Sequence, residues 1–328
     1  VMEQKRDTAL TVDWENGQSD VLSGAEIYTL VFDSNQPWML SANGTIFTTE
    51  HEGVIPGLLK RWYSERKELQ AMLKKAKDAG NATEIEYWDK RQLVKKINLN
   101  SLYGAILNPG CRFFDKRIGQ STTLSGRTIV KHMSAEANKV ITGTYDHVGD
   151  AVIYGDTDSV YFSAYPTLKE GIDKGDIPWS TENAIKLYDQ VSDAVDGTFM
   201  DFMLEAFHCP KSRADVIAAG REIVAKSGLY ITKKRYAALV VDNEGFRTDA
   251  DGVGKVKAMG LDLRRSDTPV FMQDFLKELL TMVLTDVPQK NVLDRITEFR
   301  KEFSARPGWE KGSPKRANKV GHYQRLEE

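Results

Sequence analysis

The apolar positions of residues 56–106 fall at helical spacing. Leu58, Leu59, Trp62, Leu69 and Leu73 follow a loose 3.6-residue period, and Pro56 suits the first turn of that helix. The run Asp-Ala-Gly-Asn at 78–81 breaks the pattern at Gly80, and a second helix is predicted from about Thr83 into Leu-Tyr-Gly-Ala-Ile-Leu. Two long helices joined by so short a turn imply an antiparallel helical hairpin. Upstream, residues 1–50 read as irregular and β-rich, with turn chemistry in VDWENGQSD and short strands in EIYTLVFDS and GTIFTT. Downstream, 121–145 and 183–207 are predicted helical and 216–241 β, with a turn at Asn243–Gly245. Further helices are predicted over 267–284, opened by Asp267, Thr268 and Pro269, and over about 290–304.

Between the helices over 121–145 and 183–207 lies VIYGDTDSVYF (152–162), a strand–turn–strand pattern with Asp156 and Asp158 at its tip. Two carboxylates converging on one point repel unless a cation sits beside them. Hard oxygen donors of this kind suit Mg²⁺ or Mn²⁺. The plain alternative is an Asx-type turn with two solvated aspartates. On the second predicted helix Lys96, Asn100 and Tyr103 recur at i, i+4 and i+7 on one face, and Gly104 would let that face approach a base pair closely. A cation, an amide and a ring so arranged suit a nucleoside triphosphate. Counted from the turn at Gly80 and Asn81, Arg66 and Lys96 lie at similar height, about 14 and 15 residues away, on helices about 8–10 Å apart. Two cations at one level make a phosphate clamp.

The bulk properties bound these readings. A chain of 328 residues implies two or three structural units, and a net charge of −2 leaves nucleic-acid binding to local basic patches at 58–80, 232–236 and 311–319. Taken alone, such runs are usually solvated faces. No apolar run approaches the ~20 residues of a membrane span, and VMEQKRDTAL has no signal-peptide core. Two distant cysteines, Cys111 and Cys209, give neither a disulfide framework nor a zinc spacing, which points to a reducing cytoplasm. Asp13 and Glu15 form a common Asp-x-Glu spacing in a polar loop with no companion aspartates, and His208 beside Cys209 is an isolated pair; both are read as structural.

The strings themselves carry a family resemblance. YGDTDSVY resembles motif C of family B DNA polymerases, KINLNSLYGA (96–105) resembles motif B, and TKKRY (232–236) resembles the lysine–tyrosine motif that contacts the primer-template duplex. KAMGLDLRRSDTP (257–269) is similar to the segment at the palm–thumb border, and the wording most resembles the T-even-type phage replicative polymerases and their cyanophage relatives. The resemblance spans roughly residues 30–320 and implies an α+β fold: a palm with an antiparallel sheet, antiparallel two-helix fingers and a partial helical thumb. The implied divisions are a palm segment at 1–55, fingers at 56–106, palm at 107–265 and the start of the thumb at 266–328.

The activity implied is template-directed DNA synthesis, with two Mg²⁺ ions, replaceable by Mn²⁺, held by Asp158 and Asp156. Arg66, Lys96, Asn100, Tyr103 and Gly104 would bind the nucleotide. Gln70 stands where the family often has a further lysine, with Lys67 as a substitute. Lys233, Lys234, Arg235 and Tyr236 would grip DNA, with Lys234 and Tyr236 on one strand face and Lys233 and Arg235 on the other. Arg264 and Arg265 would hold the primer backbone, and Glu222 matches an acidic position near the metals. The family's motif A, an Asp-x-x-Ser-Leu-Tyr-Pro string, is not found; DWENGQS and FDSNQPW lack the pattern, and HEGVIPGLL (51–59) resembles a stretch that follows motif A. The expectation is therefore a fragment or one half of a split polymerase, starting at a cut or boundary before Val1 and inactive alone. Its partners would be primer-template DNA, deoxynucleoside triphosphates, a missing N-terminal portion with motif A and the exonuclease, and a sliding clamp met through an absent C-terminus, with no membrane. The alternative is a non-catalytic nucleotide- or nucleic-acid-binding remnant.

Overall fold

The computed structural model describes residues 5–313; the end of the basic run at 311–319 lies outside them. The described residues fold as two compact units, one of residues 5–132 and 197–218 and the other of 133–196 and 219–313. Both are mixed helix and sheet, and every described sheet is antiparallel, so the α+β class is as expected.

In the first unit, β1 (Ala9–Asp13) pairs with β2 (Ser19–Ser23), and β3 (Trp38–Leu40) with β4 (Ile46–Thr48). EIYTLVFDS is not the predicted strand. It forms α1 (Gly24–Tyr28) and a π turn over Thr29–Asp33. The cause is local: the Ser23 hydroxyl accepts from the Glu26 N–H while the Glu26 carboxylate accepts from the Ser23 N–H, a capping box that starts a helix. Ile27 and Val31 then share a buried face. The helical hairpin is present as α2 (Val54–Asp78) and α3 (Ala82–Ile106), with Gly80 at φ 67° and Asn81 capping α3 through the Glu84 N–H. α4 (Lys116–Thr142) starts five residues before the helix predicted over 121–145.

The predicted helix over 183–207 is broken at Gly197 and Thr198 into α6 (Thr181–Asp196) and α7 (Phe199–Phe207). A further helix, α5 (Tyr165–Lys174), precedes them, with a proline in its first turn and Gly175 left-handed at its end. α7 and the short α8 (Lys211–Ala214) close the first unit's core, where Met203, Phe207, Cys209 and Ala214 pack with Met39, Ile129 and Phe202. Burial pushes the Cys209 thiol above its ordinary pKa, so it behaves as a small core residue.

In the second unit, β5 (Val152–Asp156) pairs with β6 (Ser159–Phe162) as a two-stranded hairpin. β7 (Ile223–Thr232), β8 (Arg235–Asn243), β9 (Phe246–Arg247) and β10 (Lys255–Met259) form the larger sheet, in the order β10-β8-β7 with β9 on β8. β8 is buried from Tyr236 to Asp242, as its nearly unbroken apolar sequence requires of a central strand. Ala237, Leu239, Ala258, Leu261 and Leu284 form the core beneath it, the last from α9 (Val270–Leu284), which is followed by α10 (Gln289–Ala305) and α11 (Gly308–Lys311).

Candidate functional site

The candidate residues fall into two constellations, one in each unit, and each is described by itself. In the first unit the hairpin α2–α3 is zipped by a Glu65–Lys95 ion pair, and Arg66 Nε donates to Gln92 Oε1 at 3.4 Å. Lys96 lies one turn beyond Gln92 on α3, so Arg66 and Lys96 differ in height along the hairpin by about one helical turn. Lys96 and Asn100 are exposed and Tyr103 is half-buried, its hydroxyl 2.5 Å from Thr123 Oγ1 on α4. Gly104 has no heavy atom within 4 Å of where a Cβ would stand, so the space beside it is open to a ligand. Lys67 lies 5.3 Å from the ring centre of Tyr63, and Gln70 is half-buried.

In the second unit the D-T-D tip is a two-residue turn. Asp156 pairs with Ser159, Thr157 sits at φ 53°, and the Asp158 N–H donates to the Asp156 carbonyl at 2.6 Å. A β-branched residue in the left-handed region is strained, and such strain persists only where surroundings enforce it. The two aspartates differ. Asp156 accepts from Lys234 Nζ at 2.9 Å and from the Thr157 hydroxyl at 3.1 Å. The Asp158 side chain is exposed and has no hydrogen bond or ion pair among the described residues.

The Lys234 ammonium holds the Asp156 carboxyl below the ordinary aspartate range, and Asp156 raises Lys234 in return. A depressed carboxyl pKa contributes stability above the unfolded value and loses it as pH falls through the folded one. The Asp156 contribution is thus present above about pH 4 and lost below it. An NMR titration should place the Asp156 midpoint below about 3.9, and Lys234→Met should return it to that ordinary value; an unmoved midpoint would show the pair to be absent in solution.

The KKRY string is not one strand. Lys233 and Lys234 form the turn of the β7–β8 hairpin, with Thr232 paired to Arg235 and Lys234 at φ 62°. The face alternation expected for Lys234 and Tyr236 stops at that turn, because two-residue loops take left-handed backbone and not a pleat. Tyr236, expected against DNA, is 4% exposed. Its hydroxyl lies 2.8 Å from that of Tyr161, inside a cluster with Tyr154 and Tyr230. Burial drives the Tyr161 and Tyr230 phenols upward, so both stay protonated. Lys233, Lys234 and Arg235 are exposed, with Arg235 Nε donating to the Gly260 carbonyl at 3.2 Å.

Arg265 is committed to Asp267 through two bonds of 2.9 and 2.8 Å, which raises its pKa, and Arg264 Nε donates to the Ala258 carbonyl at 3.3 Å. Both arginines are exposed, Arg265 with its charge met by Asp267. Glu222 precedes β7, at the opposite end of that strand from the Lys233–Lys234 turn, and no group of three or more potential metal ligands gathers among the described residues.

Two supporting residues escaped the sequence reading. The Tyr154 hydroxyl accepts from the Lys234 N–H at 2.7 Å, so it ties the two hairpin tips together. Gly260, at φ 65°, lies so close to the Lys234 carbonyl that a Cβ would overlap it. A glycine directly after the alternating strand Lys255–Met259 was the available signal. Gly260→Ala should cost roughly 2–4 kcal/mol, since it combines left-handed strain with a backbone clash. Chemical denaturation measures it; a loss under about 0.5 kcal/mol would mean that the turn yields.

Residues 15–174 match the family model described as DNA polymerase family B. The chain is 31% identical over 207 residues to the DNA-directed DNA polymerase of Escherichia phage RB69, covering 60% of this chain and 22% of that protein. It is 29% identical over 237 residues to the DNA polymerase delta catalytic subunit of Oryza sativa subsp. japonica, covering 72% and 18%. It is 28% identical over 224 residues to the DNA-directed DNA polymerase of Enterobacteria phage T4, covering 65% and 24%. The chain thus spans about a fifth of the length of these relatives. A solved family B DNA polymerase from Pyrobaculum calidifontis aligns at a TM-score of 0.46 with 20% identity, over 81% of this chain and 27% of that one. No helix among the described residues is long and apolar enough to cross a membrane.

Proposed function

We propose, for a chain whose residues 15–174 carry a family B DNA polymerase domain, that it supplies the triphosphate-binding face and one carboxylate pair of a template-directed DNA polymerase of the phage replicative type. The observation that carries this reading is the D-T-D tip, with one aspartate held ionised by Lys234 and the other exposed and unengaged. Two carboxylates fit Mg²⁺ or Mn²⁺, whose remaining positions are ordinarily filled by substrate phosphates and water. A cation so bound would acidify the primer 3′-hydroxyl and neutralise phosphate charge. Lys96 and Arg66 meet the triphosphate as cations, Asn100 donates to it, and Tyr103 and Gly104 face the base pair. Lys233, Lys234 and Arg235 hold the duplex by its phosphates, which suits an enzyme that accepts every primer. A two-metal site needs a further acidic ligand, which no motif A string in this sequence supplies. With one carboxylate pair the chain by itself is expected to bind nucleotide without adding it to a primer.

Calorimetric titration of this chain with a deoxynucleoside triphosphate and Mn²⁺ tests the reading. Binding should need the metal, and Lys96→Ala should weaken it about tenfold, the loss of one charged phosphate contact. Metal-independent binding would remove the cation from the D-T-D tip, and no effect of Lys96→Ala would remove the clamp. Nucleotide addition by the purified chain would refute the missing-ligand argument, and no nucleotide binding at all would favour a non-catalytic remnant.

A further inference from the structure

Lys234 carries two assignments that compete for one ammonium group. Its Nζ is bonded to Asp156 Oδ2 at 2.9 Å, and under the proposed function the same side chain holds a duplex phosphate. The second Asp156 oxygen also faces a protein donor, because the Thr157 hydroxyl donates to Oδ1 at 3.1 Å. The hydroxyl is neutral and leaves that oxygen a further lone pair. The ammonium is the real obstacle, since a divalent cation on this carboxylate would stand a few ångströms from a like charge.

The lysine is presented to the tip by its backbone. Its N–H donates to the Tyr154 hydroxyl at 2.7 Å. Its carbonyl lies against Gly260, where a Cβ would overlap it. The residue sits at φ 62° in the turn of the β7–β8 hairpin. The side chain is not held in the same way: that of Lys234 is 60% exposed, against 16% for Asp156. An ion pair so open on its cationic side is readily broken. A backbone fixed on two sides with a solvent-facing ammonium makes an arm that can reach either the carboxylate or an anion outside. Lys233, next to it, is exposed and has no ion pair among the described residues, so it carries the same charge without the contact.

We infer that Lys234 is a switch that couples duplex binding to the metal affinity of the D-T-D tip. Without DNA its ammonium stands in for the cation at Asp156; a duplex phosphate draws it away and opens that carboxylate to Mg²⁺ or Mn²⁺. The ground is linkage. Two ligands that both favour the released arm strengthen each other, by the same factor in either direction. The dense phosphate charge of a duplex is able to compete with one carboxylate for a lysine. The tip then takes its metal mainly where a duplex is already seated. The inference rests on the reading of the tip as a metal site and adds a regulation of that site.

The test is Mn²⁺ binding to this chain, followed by the paramagnetic resonance signal of unbound Mn²⁺, with and without a saturating duplex. A protein-free titration corrects for Mn²⁺ on the DNA. The duplex should tighten Mn²⁺ binding by the chain about five- to tenfold. Lys234→Met should tighten it to a similar extent without DNA and abolish the effect of the duplex. Lys233→Met removes an equal charge but no bond to Asp156. It should change the DNA-free affinity less than about twofold and keep the duplex effect. Unchanged Mn²⁺ affinity in Lys234→Met, or equal gains from the two lysine variants, would overturn the switch. So would a duplex that leaves the affinity of the unaltered chain where it was, the result expected of an ammonium bridging both anions. Asp158→Asn identifies the site and should weaken Mn²⁺ binding throughout. Binding indifferent to that change would sink the metal reading and the switch together, whereas failure of the lysine variants alone would sink only the switch.

Discussion

Asp158→Ala in a complete polymerase containing this chain should lower nucleotide addition by roughly three orders of magnitude or more, with duplex affinity and folding nearly unchanged. The side chain is exposed at the tip of β5–β6 and bonds to nothing described, so its removal breaks no structural contact. A large loss of rate could therefore come only from chemistry. Asp156 does not offer so clean an experiment. Its carboxylate is engaged by Lys234, so its removal also releases a lysine and loosens the link between the two hairpin tips. Primer extension in Mg²⁺, with duplex binding measured in parallel, separates the outcomes. Wild-type rates in Asp158→Ala would reduce the D-T-D tip to a solvated turn; lost duplex binding would make Asp158 a structural residue.

The largest stability effect is expected at Asp242. Its carboxylate accepts from Arg221 Nη1 at 2.5 Å and from the Gly245 N–H at 3.0 Å, and the side chain is 4% exposed. Arg221 also bonds Asp189, which is nearly half-exposed, at 2.5 Å. Removing Asp242 leaves the largely buried Arg221 with only the half-exposed Asp189 and strips the Gly245 N–H of its acceptor. Asp242→Ala should thus cost about 3–5 kcal/mol. In a unit of this size that is a fall of about 10 °C in Tm. Asp189→Ala should cost far less, because water solvates that end of the network. Equal losses from the two variants would show that the arginine is held by packing and not by charge.

The α+β class and the helical hairpin were legible because their signals are local. A helical period on each side of Gly80 and Asn81 needs no tertiary contact to be read. The helix at Gly24–Tyr28 was equally local but went unread, since its capping box was outweighed by the β-branched and aromatic run that follows it. The break at Gly197 and Thr198 falls inside a continuous apolar pattern that periodicity alone cannot interrupt. The candidate site divides in the same way. Asp156, Asp158 and the Lys96 face stand out from spacing and wording. The partners of Arg265, the burial of Tyr236 and the roles of Tyr154 and Gly260 do not, because each depends on a residue distant in sequence or on a turn.

The sequence by itself determined which chemical groups are available and roughly how they are spaced: an aspartate pair at a hairpin tip, a cation-amide-ring face on a helix, a run of basic residues beside an apolar strand. Only the tertiary structure decided which of them are free to act. Lys233 and Lys234 became a turn because the buried strand from Tyr236 to Asp242 must pair on both edges, which forces the chain to reverse just before it. Asp156 was claimed by Lys234, and Asp158, two residues on, was left open. Residue type and period are properties of the chain, whereas engagement is a property of contacts between segments far apart in sequence, 78 residues in that pair.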